Sequence, residues 1–267
     1  MKKLLVILAV VAMVCSLGLT AFAAPVAVDG YTFTSLGDDL FANVPETATN
    51  VGEAGFWSLD VTQPLTVSDG KVTFSSAGWG SFGAFADNTV SAGKDGIAFY
   101  VANGDTENVA TIAFGFNGAD NAGYMLSADA DVVLVDMEGN TTEIVTGFNN
   151  GFQQGAIDIP ADFKGWVLVP FDIFVINDGS YSDTPFDYEQ YGVASISFAV
   201  ASATEITYGG DFYAYELAED TPSDEPSDNP SDDNNDDEQE STADISVIAY
   251  AVAAISGLGA LVVAKRK

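Results

Sequence analysis

The sequence contains no histidine, and its single arginine, Arg266, is the penultimate residue. Without histidine the chain has no Ser-His-Asp or Cys-His catalytic relay and no His-ligated zinc site. Without arginine elsewhere, the chain lacks the guanidinium group that usually binds phosphate or carboxylate through two parallel hydrogen bonds. Most hydrolytic, phosphoryl-transfer and nucleotide chemistries are therefore disfavoured, and carboxylates, amides, hydroxyls and aromatic rings remain.

Cysteine is nearly absent as well. The one cysteine, Cys15, lies in an N-terminal apolar segment. Residues 1–23 have the pattern of a secretory signal peptide: a basic start, an apolar stretch over residues 4–19, and small residues that predict cleavage after Ala23. A lipoprotein signal needs a small residue directly before its cysteine, and Val14 occupies that position, so we do not expect lipid attachment at Cys15. The exported chain then has no thiol, and its fold must rest on its own core.

Basic residues are scarce between the two termini. Only Lys71, Lys94 and Lys164 lie outside the terminal segments, whereas all 39 acidic residues lie between Asp29 and Asp244. The negative electrostatic field of these acidic residues repels polyanions, so we expect neither a nucleic acid nor a nucleotide as partner. Divalent cations are favoured instead.

The C-terminal part predicts a membrane anchor. Residues 244–264 are almost wholly apolar and are followed by the basic residues 265–267. About twenty helical residues cross a ~30 Å hydrocarbon core, and the basic end should stay cytoplasmic. Residues 218–243 are rich in Pro, Ser and Asp and predict a disordered acidic linker.

This C-terminal part resembles the anchors of Gram-positive surface proteins, in which a Pro-x-Thr-Gly motif precedes an apolar span. Thr242 matches the motif's Thr, but Ala243 replaces the Gly and Glu240 stands where the Pro should be. We therefore expect a single-pass protein of the cell surface, with its N-terminal domain outside, rather than covalent attachment to the cell wall.

Residues 24–217 predict one all-β domain. Apolar and small or polar residues alternate in three segments, residues 97–101, 111–116 and 194–200, and turn signals such as Asp69-Gly70 separate the strands. No long amphipathic helical pattern competes. Strands at this spacing predict an antiparallel β-sandwich of the jelly-roll type.

Four segments are similar to the β-jelly-roll carbohydrate-binding modules of bacterial cellulases and cell-surface proteins, the galactose-binding-like group that includes family-11 modules. These segments are residues 95–103, 133–139, 157–171 and 211–216. The resemblance covers most of residues 68–217. It implies a non-catalytic domain that binds neutral glycans by laying sugar faces on exposed aromatic rings.

Three aromatic residues are candidates for such a sugar platform: Trp79 between two glycines, Tyr100, and Tyr124 after Gly123. If Ile97, Phe99 and Val101 face the core, Tyr100 points out of the sheet. Each candidate also has a structural interpretation, since surface tyrosines are common on strands and a tryptophan between glycines can close the edge of a sandwich.

Carboxylate clusters suggest structural calcium. Asp38, Asp39, Asp105 and Glu107 are the candidate ligands, because Ca²⁺ prefers six to eight oxygens. No EF-hand spacing is present, and acidic residues are abundant enough for such clusters to arise by chance.

Two other functions stay open at this point. A glycoside hydrolase needs only a pair of carboxylates and neither His nor Arg, although no strand of alternating acids and aromatics is visible. A structural or adhesive surface protein needs no sugar site. We expect a membrane-anchored, extracellular, non-catalytic module that binds a neutral polysaccharide or glycan.

Overall fold

A computed structural model describes residues 25, 27–37, 39–56, 61–75, 77–85, 87–151, 153–177, 183–201 and 205–218, with the backbone alone at residues 81–84. The predicted signal peptide, almost all of the linker, the predicted transmembrane helix and the basic tail lie outside these residues. Within them, no helix combines the length and the apolar character that crossing a membrane requires.

Over these ranges the chain forms strands β1 to β15 and one short 3-10 helix. In chain order they are β1 (Tyr31–Ser35), β2 (Leu65–Ser68), β3 (Lys71–Phe74), β4 (Gly78–Ala84), β5 (Gly96–Asn103), β6 (Ala110–Gly118), β7 (Gly123–Leu126), β8 (Asp131–Asp136), β9 (Thr141–Val145), β10 (Gly147–Asn149), β11 (Gln154–Ile159), β12 (Lys164–Pro170), the 3-10 helix (Phe171–Ile173), β13 (Phe174–Ile176), β14 (Val193–Val200) and β15 (Ile206–Leu217).

The described strands pair antiparallel in two sheets. In sheet 1 the order is β2-β3-β15-β5-β12-β8-β9, with β1 also on β15. In sheet 2 the order is β10-β11-β6-β14-β4, while β7 pairs with both β6 and β13. The predicted all-β antiparallel sandwich is therefore confirmed, and the three segments with alternating sequence lie in β5, β6 and β14.

The turn between β2 and β3 shows how local sequence sets the pairing. Asp69 and Gly70 are the two residues between the strands, and both have positive φ, at 52° and 69°. Two successive positive φ angles match the right-handed twist of a hairpin, and Asp-Gly adopts them readily. The register that follows places Val67 opposite Val72.

The core lies between the two sheets and is rich in phenylalanine. Phe99 of sheet 1 stacks on Phe114 of sheet 2 with ring centroids 4.7 Å apart, and Phe198 stacks on Tyr208 at 4.0 Å. All four rings are at most 2% exposed. Because successive side chains of a strand alternate between faces, the neighbours of these residues point to the outer faces.

A second, smaller apolar cluster covers the outer face of sheet 1. Its buried members are Ala98, Tyr100, Ala102, Val135, Trp166, Leu168 and Tyr215. Tyr31, Phe33 and Tyr213 pack against it and are only partly buried. The middle of the outer face of sheet 1 is therefore apolar, whereas the outer face of sheet 2 carries the polar cleft described next.

Candidate binding cleft

Trp79 stands on the outer face of sheet 2. On β4 it lies opposite Ala199 of β14, and Ala199 lies opposite Ala113 of β6. Residues opposite one another in a sheet share a face, and the intervening Phe198 points into the core. The partly buried indole therefore shares this face with two fully buried alanines, and it lines an open cleft of about 320 Å³.

We call this site the Trp79 cleft. Its lining residues come from four strands and the residue after β13, and they are Trp79, Phe116, Asn117, Gly123, Tyr124, Met125, Asn177 and Ser197.

Two glycines keep the floor of the cleft low. A Cβ atom on Gly115 would stand 2.7 Å from the carbonyl oxygen of Tyr124 and 3.4 Å from Oγ of Ser197, so only glycine lets β7 approach β6 this closely. A Cβ atom on Gly123 would meet Oδ1 of Asn117 at 3.4 Å, an ordinary contact. Gly123 is thus a place where a side chain would fill the cleft without clashing.

Two amides and a hydroxyl supply the polar groups. The side-chain amide of Asn117 donates to Oγ of Ser195 at 3.0 Å, and this bond directs its Oδ1 toward Gly123. The backbone N–H of Asn177 donates to the carbonyl of Gly123 at 2.7 Å and holds Asn177 next to Gly123, so that a Cβ atom on Gly123 would stand 4.0 Å from Cβ of Asn177. With Ser197, these groups both donate and accept hydrogen bonds, as sugar hydroxyls require.

No charged side chain lines the Trp79 cleft, among the residues that the structure describes. The sequence carries 39 acidic residues, so an uncharged cleft stands out against its surroundings. A shaped site with an aromatic wall and a few placed polar groups is the usual form of a small-molecule site. The long-range acidic field would disfavour an anionic ligand.

Tyr124 lies at this cleft, but its ring points inward. The ring is 7% exposed and packs 4.7 Å from Phe186 and 5.5 Å from Phe116, centroid to centroid. Its hydroxyl donates to Oδ2 of Asp120 at 2.7 Å. Burial and this hydrogen bond to a carboxylate raise the pKa of Tyr124 above its ordinary value. The expectation of an exposed Tyr124 platform is corrected, because the side chain belongs to the core.

Tyr100 lies far from the cleft in the fold, on the other sheet. As expected, it points away from the core that holds Ile97, Phe99 and Val101. It is nevertheless only 8% exposed, because Trp166 packs edge-on against it at 6.1 Å and Nζ of Lys71 lies 5.0 Å from its ring centroid. Burial also raises the pKa of Tyr100. Its ring offers little open surface to a sugar.

The candidate calcium ligands are not brought together in the described part of the chain. There, no group of three or more acidic side chains is placed to hold a metal ion. Asp105 accepts hydrogen bonds from the backbone N–H groups of Glu107 and Asn108, and these lower its pKa. Oδ1 of Asp39 accepts from the N–H of Phe41 at 2.7 Å. Asp38 lies outside the described residues, so calcium binding stays a prediction.

Three residues of the cleft escaped the sequence interpretation: Asn117, Asn177 and Ser197. Ser197 and Asn117 lie on strands whose alternation was visible, at positions that point outward. Their outward direction could have been inferred. Asn177 follows β13, and only the pairing of β13 with β7 brings it near Gly123.

Comparison with known proteins gives remote structural similarities only. No protein-family model matches the chain, and no curated protein matches it. A family 11 carbohydrate-binding module from Clostridium thermocellum, in complex with a β-1,3-1,4-mixed-linked tetrasaccharide, is 12% identical over 72% of this chain and 92% of that chain, with a TM-score of 0.33. The solution structure of CtCBM11 is also 12% identical, over 74% of this chain and 99% of that chain, with a TM-score of 0.32.

A third similar structure contains the CBM22-1 and GH10 modules of Clostridium thermocellum xylanase 10B, complexed with xylohexaose. It is 12% identical over 66% of this chain and 28% of that chain, with a TM-score of 0.28. At this level of similarity, none of the three structures identifies a ligand or a site for the present chain.

Proposed function

We propose that the chain is a non-catalytic jelly-roll module that binds a neutral glycan in the Trp79 cleft. The observation that carries the proposal is a cleft whose described lining residues carry no charge and include an indole and two asparagines, on a strongly acidic domain. A sugar offers an apolar face to the indole and hydroxyls to Asn117, Asn177 and Ser197. Each of these protein groups matches one feature of a neutral sugar.

Neutrality of the ligand follows from the charge of the domain. A uronic acid or a sulfated glycan would enter a field set by 39 acidic residues against 8 basic ones over the whole chain. No basic side chain lines the cleft, within the described residues, to compensate for that repulsion. Anionic glycans should therefore bind more weakly than neutral ones, and most weakly at low salt.

Binding without catalysis is favoured over glycoside hydrolysis. Hydrolysis requires a pair of carboxyl groups that flank the scissile bond, and one of the two must be protonated. Among the described lining residues of the Trp79 cleft there is neither Asp nor Glu. Incubation with the bound glycan, scored for new reducing ends, tests this choice directly.

The module's location is part of the proposal. The signal sequence in residues 1–23, the acidic linker in residues 218–243 and the apolar residues 244–264 support export and a single membrane anchor with the domain outside. Protease added to intact cells should release the domain and leave a short C-terminal fragment in the membrane.

A structural or adhesive role is the second candidate. One observation favours it: Tyr31, Phe33 and Tyr213 leave partly exposed rings on the apolar outer face of sheet 1. Aromatic rings of this kind are enriched at protein interfaces. A protein partner on that face would not need the Trp79 cleft.

The experiment compares two aromatic residues on opposite faces. Residues 24–217, with Trp79→Ala or Phe33→Ala, are titrated calorimetrically with glycans selected from an array of neutral and anionic sugars. Loss of one aromatic contact costs about 1 kcal/mol, which is roughly fivefold in Kd. Weaker binding in Trp79→Ala alone supports the proposal. Weaker binding in Phe33→Ala alone contradicts the placement of the site.

A further inference from the structure

A separate cleft lies on the outer face of sheet 1, beside the hairpin of β8 and β9. It has a volume of about 300 Å³, and its lining includes Val28, Asp29, Tyr31, Val133 and Glu143. None of these residues lines the Trp79 cleft, which lies on sheet 2. We call this site the Glu143 cleft. It brings two carboxylates to one aromatic ring and two aliphatic side chains.

The register of sheet 1 places Glu143 beside an apolar surface. Glu143 lies opposite Val133 on β8, and Val133 lies opposite Leu168 on β12. Residues opposite one another share a face, and Leu168 belongs to the apolar cluster of the outer face. Val28 and Val133 pack against the same cluster. The cleft therefore has aliphatic groups next to its carboxylates.

Tyr31 supplies the aromatic ring of the Glu143 cleft. Its ring packs edge-on against Tyr215 at 5.4 Å and stacks on Phe33 at 6.2 Å, centroid to centroid. These contacts position the ring, which remains partly exposed. Burial, and then the negative charge of Glu143, raise the pKa of Tyr31, so the carboxylate is close enough to act on the ring hydroxyl. A cation is attracted both by an aromatic face and by a carboxylate.

A positive charge for this cleft has to come from a partner. Among the described lining residues there are two acids, Asp29 and Glu143, and neither lysine nor arginine. The ion pairs of the described chain are those of Lys94 and Lys164, and neither involves a carboxylate of the cleft. Charge complementarity therefore favours a cationic partner over a neutral or anionic one.

Strand β9 carries Glu143 and also ends the strand order of sheet 1. Among the described strands, its outer edge has no pairing partner, and its sequence contains neither Lys nor Pro to block one. An extended peptide can add to such an edge through main-chain hydrogen bonds, about 4.8 Å from β9. Every second side chain of that peptide points to the outer face, where a long basic side chain reaches the cleft.

We infer that the Glu143 cleft binds a lysine or arginine side chain of a partner protein, presented by an extended segment that adds to the edge of β9. The cationic group pairs with Glu143 and Asp29 and contacts the ring of Tyr31. The aliphatic stem of the basic side chain lies on Val28 and Val133. This interaction is additional to glycan binding and does not depend on it, because the two clefts lie on different sheets.

The test uses peptides that differ only in charge or in backbone donors. The full-length chain, purified in mild detergent, is titrated with a fluorescently labelled seven-residue peptide of alternating lysine and threonine. Two further peptides replace each lysine by acetyl-lysine or carry a methyl group on every backbone nitrogen. Glu143→Gln and Tyr31→Leu are compared with the unsubstituted chain and with Glu138→Gln. Glu138 is the matched control, since it is an exposed acid of the same hairpin and is not among the described lining residues.

The expected result is specific to the Glu143 cleft. Glu143→Gln and Tyr31→Leu should each weaken binding of the lysine peptide about fivefold, the effect of one cation contact. Glu138→Gln should weaken it less than about twofold, because this variant changes only the screened long-range field. The acetyl-lysine and N-methylated peptides should bind at least about fivefold more weakly than the lysine peptide. Thermal unfolding of each variant verifies that it folds.

Three other results would overturn the inference. The same loss in Glu143→Gln and Glu138→Gln would mean that the acidic surface as a whole attracts the peptide. Undiminished binding of the acetyl-lysine peptide would exclude a cation site, and undiminished binding of the N-methylated peptide would exclude pairing with β9. Titration of the same variants with a neutral glycan keeps the two proposals apart, since failure of peptide binding leaves glycan binding in the Trp79 cleft untouched.

Discussion

The hydroxyl of Tyr124 donates a hydrogen bond of 2.7 Å to Oδ2 of Asp120, and this bond holds the tyrosine ring inside the sandwich. The second carboxylate oxygen, Oδ1, accepts from the backbone N–H of Ala122 at 3.1 Å. Asp120 therefore closes the turn between β6 and β7 and anchors the ring at the same time. The backbone of β7 lines the Trp79 cleft, while its tyrosine supports the cleft from within.

Tyr124→Phe should therefore lower stability and leave glycan affinity unchanged. The substitution removes one partly buried hydrogen bond to a charged group, a change worth about 1.5–3 kcal/mol. Urea unfolding measures the loss, and titration with the bound glycan measures the affinity. If the fully folded variant lost much of its affinity for the glycan, the tyrosine hydroxyl would have to contact the ligand.

Gly123→Val should block the Trp79 cleft without unfolding the domain. A Cβ atom at this position makes ordinary contacts, 3.4 Å to Oδ1 of Asn117 and 4.0 Å to Cβ of Asn177. The added methyl groups then occupy the space between Asn117 and Asn177. We expect at least a tenfold loss of glycan affinity with a nearly unchanged unfolding temperature, since valine is favoured in strands.

Gly147→Val is the matched control for this blocking variant. Gly147 lies on β10 of the same sheet, and a Cβ atom there would meet nothing within 4 Å. This variant should bind the glycan as the unsubstituted chain does. Equal losses in both glycine variants would point to a general effect on sheet 2 and not to a blocked cleft.

Asn103→Ala should destabilise the fold strongly. Asn103 is fully buried, and its Nδ2 donates to the carbonyl oxygens of Asn108, Ile159 and Pro160 at 2.9, 3.2 and 3.1 Å. Truncation leaves these acceptors unpaired, and we expect a loss of about 2–4 kcal/mol in the free energy of unfolding.

Asn108→Ala is the control for Asn103. Asn108 is exposed, and its side chain donates only to Oδ2 of Asp105, among the hydrogen bonds of the described residues. Its truncation should cost less than about 1 kcal/mol. A cost at Asn103 no greater than that at Asn108 would show that the loop after β5 does not depend on the buried amide.

Asp211→Asn should stabilise the domain at neutral pH. Burial, and then the charge of Asp39, raise the pKa of Asp211 above its ordinary value of 3.8. A raised carboxyl pKa means that ionisation is harder in the folded chain, so the charge costs stability above the folded-state pKa. As the pH falls toward 3.8, the carboxyl is protonated in the folded and then in the unfolded state, and this cost disappears.

Thermal unfolding between about pH 4 and pH 8 checks this pH dependence. The advantage of Asp211→Asn over the unsubstituted chain should be largest at the upper end and should shrink at the lower end. Asp131→Asn, at the exposed start of β8, removes the same charge and should give a smaller gain. A gain at Asp211 that does not vary with pH would contradict the assigned cause.

Alternation in the sequence was sufficient to predict the sandwich. In β5, Ile97, Phe99 and Val101 face the core as the pattern indicates, and in β14 Ser197 points outward between two core residues. The Asp69-Gly70 pair marked its hairpin because two positive φ angles restrict the choice of residue. Local rules of this kind act over a few residues and can be read from one sequence.

The exposure of aromatic side chains was harder to predict from the sequence than the face of the sheet toward which they point. Tyr100 points away from the core, as expected, but Trp166 of β12 covers it. The pairing of β12 with β5 cannot be inferred from the sequence of either strand alone. The inward ring of Tyr124 depends on Asp120 and Phe186, the second of which is 62 positions away. Long-range contacts decide which aromatic residues remain open to a ligand.

Mapping the bound glycan by amide and indole chemical shifts would test the central claim most directly. The 15N-labelled domain is titrated with a neutral oligosaccharide that binds it, and shifts of the indole N–H of Trp79 and the side-chain amides of Asn117 and Asn177 are followed. The account predicts that these three signals move together and saturate with the calorimetric Kd. Saturable shifts confined to Tyr31, Phe33 and Tyr213 on sheet 1, with the Trp79 indole unmoved, would contradict it.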